Sequence, residues 1–387
     1  MDNNLAETPL TAVAGVSEPS STRDWLERVL PFASVAGLFL LLSIFAPYFL
    51  TVQNLSSVCR QTAVINIIAL GMTLIMISGG IDLSVGSVMG FAGICGTLLL
   101  QAGFPLIPSI AGAMIAGAAW GLVNSGLITL LKVSPFIATL GTMGAARGLT
   151  LVITNGMPVV KLPDSFGYLG DGSMAGIIPV PLVVLVVLAL LTGFILKYTR
   201  LGRYAYAIGS NVEAARYAGV PIRRYLVAIY TFGGAMTGLA GMIEGSRLMT
   251  GQPTAGQGYE LSVIAAVVIG GASLSGGEGT VAGSIAGAFL IGLISNGSNL
   301  LGVSPFWQQV VTGAVIVLAV AVDELRKRRR GALFVVRQRV PLSSGQPAGR
   351  TAVRCGAEDP MRASPLPQSG SKLPHSKAFR AFVLRGG

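Results

Sequence analysis

The chain has 387 residues, of which 52% are hydrophobic and only 11% charged, with a mean hydropathy of +0.70. Soluble domains carry about 25% charged residues, so a water-soluble globule is excluded and the sequence reads as an all-α, polytopic bundle whose solvent is lipid. The net charge of +11 belongs to the tail: residues 1–322 hold 13 Lys and Arg against 12 Asp and Glu, residues 323–387 hold 14 against 4, and this gives no argument for a nucleic-acid partner.

In chain order, residues 1–29 form a mostly polar cytoplasmic tail. Its first 22 residues lack the basic start and cleavage pattern of a signal peptide, so the first apolar segment is a retained span. A spanning helix needs about 20 mostly apolar residues. Ten candidates follow: 30–50, 62–78, 84–101, 107–131, 136–154, 177–196, 225–242, 261–273, 281–301 and 305–322. The eighth is too short to cross alone, which points to a tilted, extended or re-entrant segment. Residues 323–387 are rich in Arg, Ser, Pro and Gly and read as a disordered, basic cytoplasmic tail.

Lys and Arg in short loops set the orientation. The loop 197–224 carries Lys197, Arg200, Arg203, Arg216, Arg223 and Arg224 against Glu213, so it is cytoplasmic. The loop 156–176 carries Lys161 against Asp164 and Asp171, so it lies outside. Six spans before the basic loop and four after it put both termini in the cytoplasm. The pairs Gly117/Gly121, Gly234/Gly238 and Gly283/Gly287 have the GxxxG spacing that lets helix backbones approach.

Asp82 is the only charged residue between Arg60 and Lys132. A carboxylate at mid-bilayer costs roughly 2.5–3.5 kcal/mol on insertion scales, so Gly79-Gly80-Ile81-Asp82-Leu83-Ser84 reads as a helix break. There Asp82 caps the next helix, lines a pathway or braces a moving helix. In the basic loop, Asn211 caps a short helix that Gly219 ends, with Pro221 just beyond. That helix either docks into a partner or rests on lipid. Leu274-Ser275-Gly276-Gly277-Glu278 looks like the signature segment of ABC ATPases. The chain has no Gly-Lys pair and hence no phosphate-binding loop, so the segment reads as a turn between two membrane helices.

Arg147 either snorkels or pairs with a carboxylate, Asp82 and Glu244 being possible partners. Asn296, Asn299, Gln308 and Gln309 hydrogen-bond either a polyhydroxylated solute or one another. Cys59, Cys95 and Cys355 are scattered and odd in number, and His375 stands alone in the tail. No disulfide framework, metal site, cofactor site or catalytic constellation is expected, so the chain does not read as an enzyme.

Four ordered segments together resemble a known family. They are 79–87, Ser134-Pro135-Phe136-Ile137-Ala138-Thr139-Leu140-Gly141-Thr142, the loop 202–219, and Ile269-Gly270-Gly271-Ala272-Ser273-Leu274-Ser275-Gly276-Gly277. From about residue 30 to 323 the chain resembles the ribose/xylose/galactose-type permeases of bacterial ABC importers. The resemblance implies a multi-pass inner-membrane subunit of ten helices that works with a second permease copy. It also implies two cytoplasmic ABC ATPase subunits and a periplasmic sugar-binding protein. Glu213, Ala214, Ala215 and Gly219 then fit the loop that couples to the ATPase. Asp82, Ser84, Phe136, Thr139, Asn296 and Gln308 become candidates for the translocation pathway or its gate.

The tail departs from the family, so no family role is carried beyond Asp323. The same machinery suits a nucleoside, a branched-chain amino acid or a signal molecule as cargo. An ion-coupled secondary transporter would need Asp82 as its titrating group.

Overall fold

The computed structural model describes residues 21–304 and, beyond them, positions 306–311, 313–314, 317–318 and 321, with side chains from residue 29 onward. The readings for residues 1–20, for the tail 323–387 and for much of the tenth candidate span lie outside the described residues.

The described chain is overwhelmingly helical. Helix α1 covers Ser21–Phe45, α2 Val52–Ile77, α3 Val85–Gln101, α4 Leu106–Thr129 and α5 Pro135–Thr154. A loop follows with a single 3-10 turn, the short α6 (Gly167–Asp171), and a hairpin of β1 (Ser173–Met174) with β2 (Ile178–Pro179). Then come α7 (Val180–Tyr198), α8 (Arg200–Ser210), α9 (Val212–Tyr217), α10 (Ile222–Leu248), α11 (Tyr259–Ile269) and α12 (Val281–Leu300). Six of these, α2, α4, α5, α7, α10 and α12, are long and apolar enough to cross a membrane. The apolar parts of α1, α3 and α11 are shorter.

Helices α2 and α10 form the centre. The most apolar window of α2 is 78% buried and that of α10 67%, against 22% for α4 and 28% for α5 and α7. The outer helices keep residues such as Ile115, Val152 and Leu190 exposed. In water such a surface would drive association; in a bilayer it meets chains as apolar as itself.

Close approach comes from the three predicted glycine pairs. A methyl group on Gly117 would overlap the Gly234 carbonyl, and one on Gly121 would overlap that of Tyr230. On the facing helix, Gly234 and Gly238 stand equally tight against Gly117 and Ala113. The two GxxxG faces of α4 and α10 therefore pack on each other. Gly283 and Gly287 of α12 do the same against Gly270 and Ala266 at the end of α11.

Polar ties fix the antiparallel register of α2 and α12. The Thr73 hydroxyl donates to Ser284 at 2.7 Å near one end. Near the other, the Asn296 carboxamide donates to Asn54 Oδ1 at 2.8 Å. At 1.5 Å per residue these ties are about 29 Å apart along α2.

The eighth candidate span is a composite. From Leu248 the chain descends without helix through 249–258, and α11 supplies only 11 helical residues. The descent is braced. Val159 and Gly251 exchange backbone hydrogen bonds of 2.8 and 2.9 Å at its top, and Gly256 packs on Gly86 of α3. An extended start to a short helix is one of the three arrangements that its length allows.

Candidate functional site

The break between α2 and α3 is built by its sequence. Gly79 takes φ +81°, and Gly80 N–H reaches back to the Ile75 carbonyl at 3.0 Å while Gly79 N–H bonds Met76 O at 2.9 Å. This is a Schellman ending, for which glycine is the favoured residue. Asp82 then lies 4% exposed. One of its oxygens accepts the Ser84 backbone N–H at 2.8 Å and the Ser84 hydroxyl at 2.6 Å. The carboxylate thus turns the chain into α3 from two residues ahead of Ser84, as an Asx-turn does. It does not bond the second or third helical N–H as an N-cap would.

The other oxygen meets Asn124 of α4 at 3.3 Å. Asn124 also donates to the Ser84 hydroxyl at 2.9 Å and accepts from Thr142 of α5 at 2.6 Å. Thr139, one turn earlier on α5, donates to the Ile81 carbonyl at 3.2 Å. Tyr230 of α10 brings its ring to Gly80, and its buried hydroxyl has no hydrogen-bond partner among the described residues. The cluster joins the start of α3 to α4 and α5 through neutral donors around one carboxylate, and α10 packs against it through Tyr230. A buried acid held this way is stabilised by its hydrogen bonds rather than by an ion pair.

The pathway candidates fall into two groups. Asp82, Ser84 and Thr139 meet at the break, and Phe136 stands one turn before Thr139 with 52% of its surface open. Asn296 and Gln308 lie elsewhere. Asn296 pairs with Asn54 at the start of α2, and Gln308 donates to Asn299 at 2.7 Å and accepts from Ser295 at 3.3 Å. Asn296 therefore pairs with a residue outside the amide group, whereas Gln308 pairs with Asn299 within it.

Arg147 pairs with neither suggested carboxylate. Its guanidinium donates to the carbonyls of Pro253 and Ala255 at 2.6 and 2.9 Å, holding the descending segment against α5. Glu244 is bound by Arg247 at 2.8 Å, one helical turn away on α10. Arg60 reaches Asp171 at 2.9 Å, which ties the loop carrying α6 to the early part of α2.

The basic loop folds as the sequence suggests. Asn211 accepts the Ala214 N–H at 2.9 Å, which caps α9. Gly219, at φ +79°, ends the helix, with Val220 N–H bonded to Ala215 O at 3.0 Å. Glu213, Ala214 and Gly219 are exposed and Ala215 is buried. Glu213 pairs with Arg216 at 2.7 Å, and Tyr217 projects with 88% of its surface open. The arm α8–α9 meets the same end of α2 as the break, because Gly209 packs on the Ile77 carbonyl.

Asn124, Thr142 and Tyr230 complete the cluster beyond the candidates that the sequence offers. Asn124 is the one strongly polar residue of its span, and that was the available signal. Among the described residues, no three His, Cys, Asp or Glu gather closely enough to hold a metal ion.

Residues 54–320 match the family described as branched-chain amino acid transport system/permease component. The ribose import permease protein of Escherichia coli strain K12 is 40% identical over 310 residues, covering 79% of this chain and 96% of that protein. Its Bacillus subtilis strain 168 counterpart is 43% identical over 300 residues, covering 77% and 93%. The D-allose transport system permease protein of E. coli K12 is 37% identical over 279 residues, covering 72% and 85%. No solved structure matches the chain.

Proposed function

Because this chain belongs to the branched-chain amino acid transport system/permease component family, we propose that it is the membrane-spanning subunit of an ATP-driven importer for a monosaccharide. The observation that carries the cargo class is the identity of 40% to a ribose import permease across 96% of that protein's length. A ribose, xylose or galactose type of sugar fits this likeness.

In this reading the chain makes ten crossings of the bacterial inner membrane with both termini in the cytoplasm. The six long apolar helices, the three shorter ones and the helical stretch 306–311 support that count. The arm α8–α9 faces the cytoplasm, as the six basic residues of the loop 197–224 favour. There Glu213, Ala214, Ala215 and Gly219 dock on a separate ATPase subunit. A second permease copy completes the pathway and a periplasmic binding protein delivers the sugar. Asp82, Ser84, Phe136 and Thr139 form or gate the path near the arm, and Asn296 and Gln308 serve its other end. Affinity resides in the delivery protein, so the path needs no tight sugar site.

The test is uptake into proteoliposomes. Sugar import that requires a co-purified ATPase and ignores proton and sodium uncouplers is expected. Uptake by this chain alone, abolished by uncouplers, assigns it instead to the ion-coupled class. The family's own description favours one second reading, the same machine with a branched-chain amino acid as cargo; binding of leucine rather than sugar by the delivery protein would select it.

A further inference from the structure

The turn 273–279 has no role in the function proposed above, and its closest neighbours are the arm and the helix break. Gly277 N–H donates to the Ile77 carbonyl at 2.9 Å, the last helical carbonyl of α2 before the break. Gly209, in the final turn of α8, sits on that same carbonyl so closely that a methyl group there would overlap it and stand 2.5 Å from Gly277 N. A methyl on Gly276 would lie 2.8 Å from the Gly79 Cα and 2.9 Å from the Gly209 Cα. Three strands of main chain thus meet with no side chain between them. One polar bond pins the arm to the same turn one helical turn earlier: the Tyr206 hydroxyl donates to Gly279 O at 2.7 Å.

We propose that Gly209, Gly276 and Gly277 form a rigid joint that delivers movement of the α8–α9 arm to the Asp82 break. The inference rests on the importer reading, in which α9 meets the ATPase. Side-chain contacts can absorb a small shift by changing rotamer, whereas packed main chain is nearly incompressible and passes the shift on. Only Ser78, Gly79, Gly80 and Ile81 separate Ile77 from Asp82. Gly80 touches Tyr230, and Ile81 is held by Thr139. A displacement of α8 at Gly209 therefore reaches α2, α5 and α10 together. Gly209, Gly276, Gly277 and Tyr206 are positioning residues, since they act through the break.

The decisive measurement is the ratio of sugar imported to ATP hydrolysed in proteoliposomes, using purified ATPase subunits, a ribose-binding protein and radiolabelled D-ribose. Gly209→Ala is expected to retain ATPase binding and hydrolysis, because α9 is untouched. Its uptake per ATP is expected to fall by about tenfold, the scale of coupling carried through packed networks. Tyr206→Phe loses only the hydroxyl and is expected to lower the ratio less. A ratio equal to wild type overturns the joint, and so does a fall of uptake and hydrolysis in step, which marks a merely structural loss. If Gly209→Ala does not accumulate, Tyr206→Phe decides by the same ratio. Wild-type protein that imports nothing with its ATPase overturns the importer reading and the joint with it; a wild type that imports while both variants keep its ratio overturns the joint alone.

Discussion

Asn124 closes the helix break by reaching across from α4 to both Ser84 and Asp82, at 2.9 and 3.3 Å, while it accepts from Thr142 at 2.6 Å. One carboxamide therefore satisfies three groups, two at the break and one on α5. Asn124→Leu leaves the Thr142 hydroxyl and one Asp82 oxygen buried without that partner. Each such loss costs about 1–3 kcal/mol. Thermal unfolding in detergent should shift down accordingly, and Asn124→Asp should be worse still because it sets a second carboxylate beside the first.

The α4–α10 contact predicts a contrast between two glycines of one helix. Gly117→Leu drives a side chain into the Gly234 carbonyl, and such overpacking costs about 1–3 kcal/mol or more. Gly126 has nothing within 4 Å of its potential Cβ. Gly126→Ala should therefore hold or raise the melting temperature, since Ala is favoured over Gly in a helix interior by roughly 0.5–1 kcal/mol. Equal effects of the two substitutions would contradict the packing described.

Arg147→Met removes both donors to the descending segment. Proteolysis or amide exchange across 249–258 should rise while the exchange of α2 stays protected. Arg147→Lys should rescue only part of the protection, because the ammonium sits on a shorter side chain than the one carrying the single Nη1 that donates both bonds.

The exposed pair on α9 predicts a split between stability and coupling. Glu213→Arg breaks a surface ion pair and should change stability by no more than about 0.5 kcal/mol. Membrane insertion should be normal, whereas ATPase stimulation and uptake should fall. Full transport in this variant argues against docking through α9.

Burial pushes the Tyr206 phenol up from its usual value. A raised folded value stabilises the fold fully below the unfolded value and loses that contribution as pH rises through the folded one. Stability should therefore decline on the alkaline side, and Tyr206→Phe should flatten that decline. An unchanged alkaline limb in the variant would assign the loss to another group.

Much of the scaffold is legible in the sequence where the signal is local. Gly79-Gly80 marks the end of α2 because a left-handed residue is needed there, and α9 is bracketed by Asn211 as a side-chain cap and Gly219 as a left-handed stop. The glycine pairs announce close crossings, though not which helix faces which. What is illegible depends on atoms that every residue shares. Arg147 binds the carbonyls of Pro253 and Ala255, and Gly277 binds that of Ile77. Backbone acceptors carry no sequence signature, so a search among carboxylates could not find them. Asn124 meets Asp82 across 42 positions, a pairing that only the α4–α10 and α3–α4 packing creates.

The segment 249–258 runs without a helix's internal hydrogen bonds, so main-chain oxygens there need donors from elsewhere. Arg147 supplies two of them. Its ligand is thus a stretch of peptide geometry, not a set of residue types. Thr254 can drift in evolution without disturbing it, whereas the deletion of one residue between Pro253 and Ala255 would take an oxygen out of reach. Selection on this part of the chain should act on length before identity.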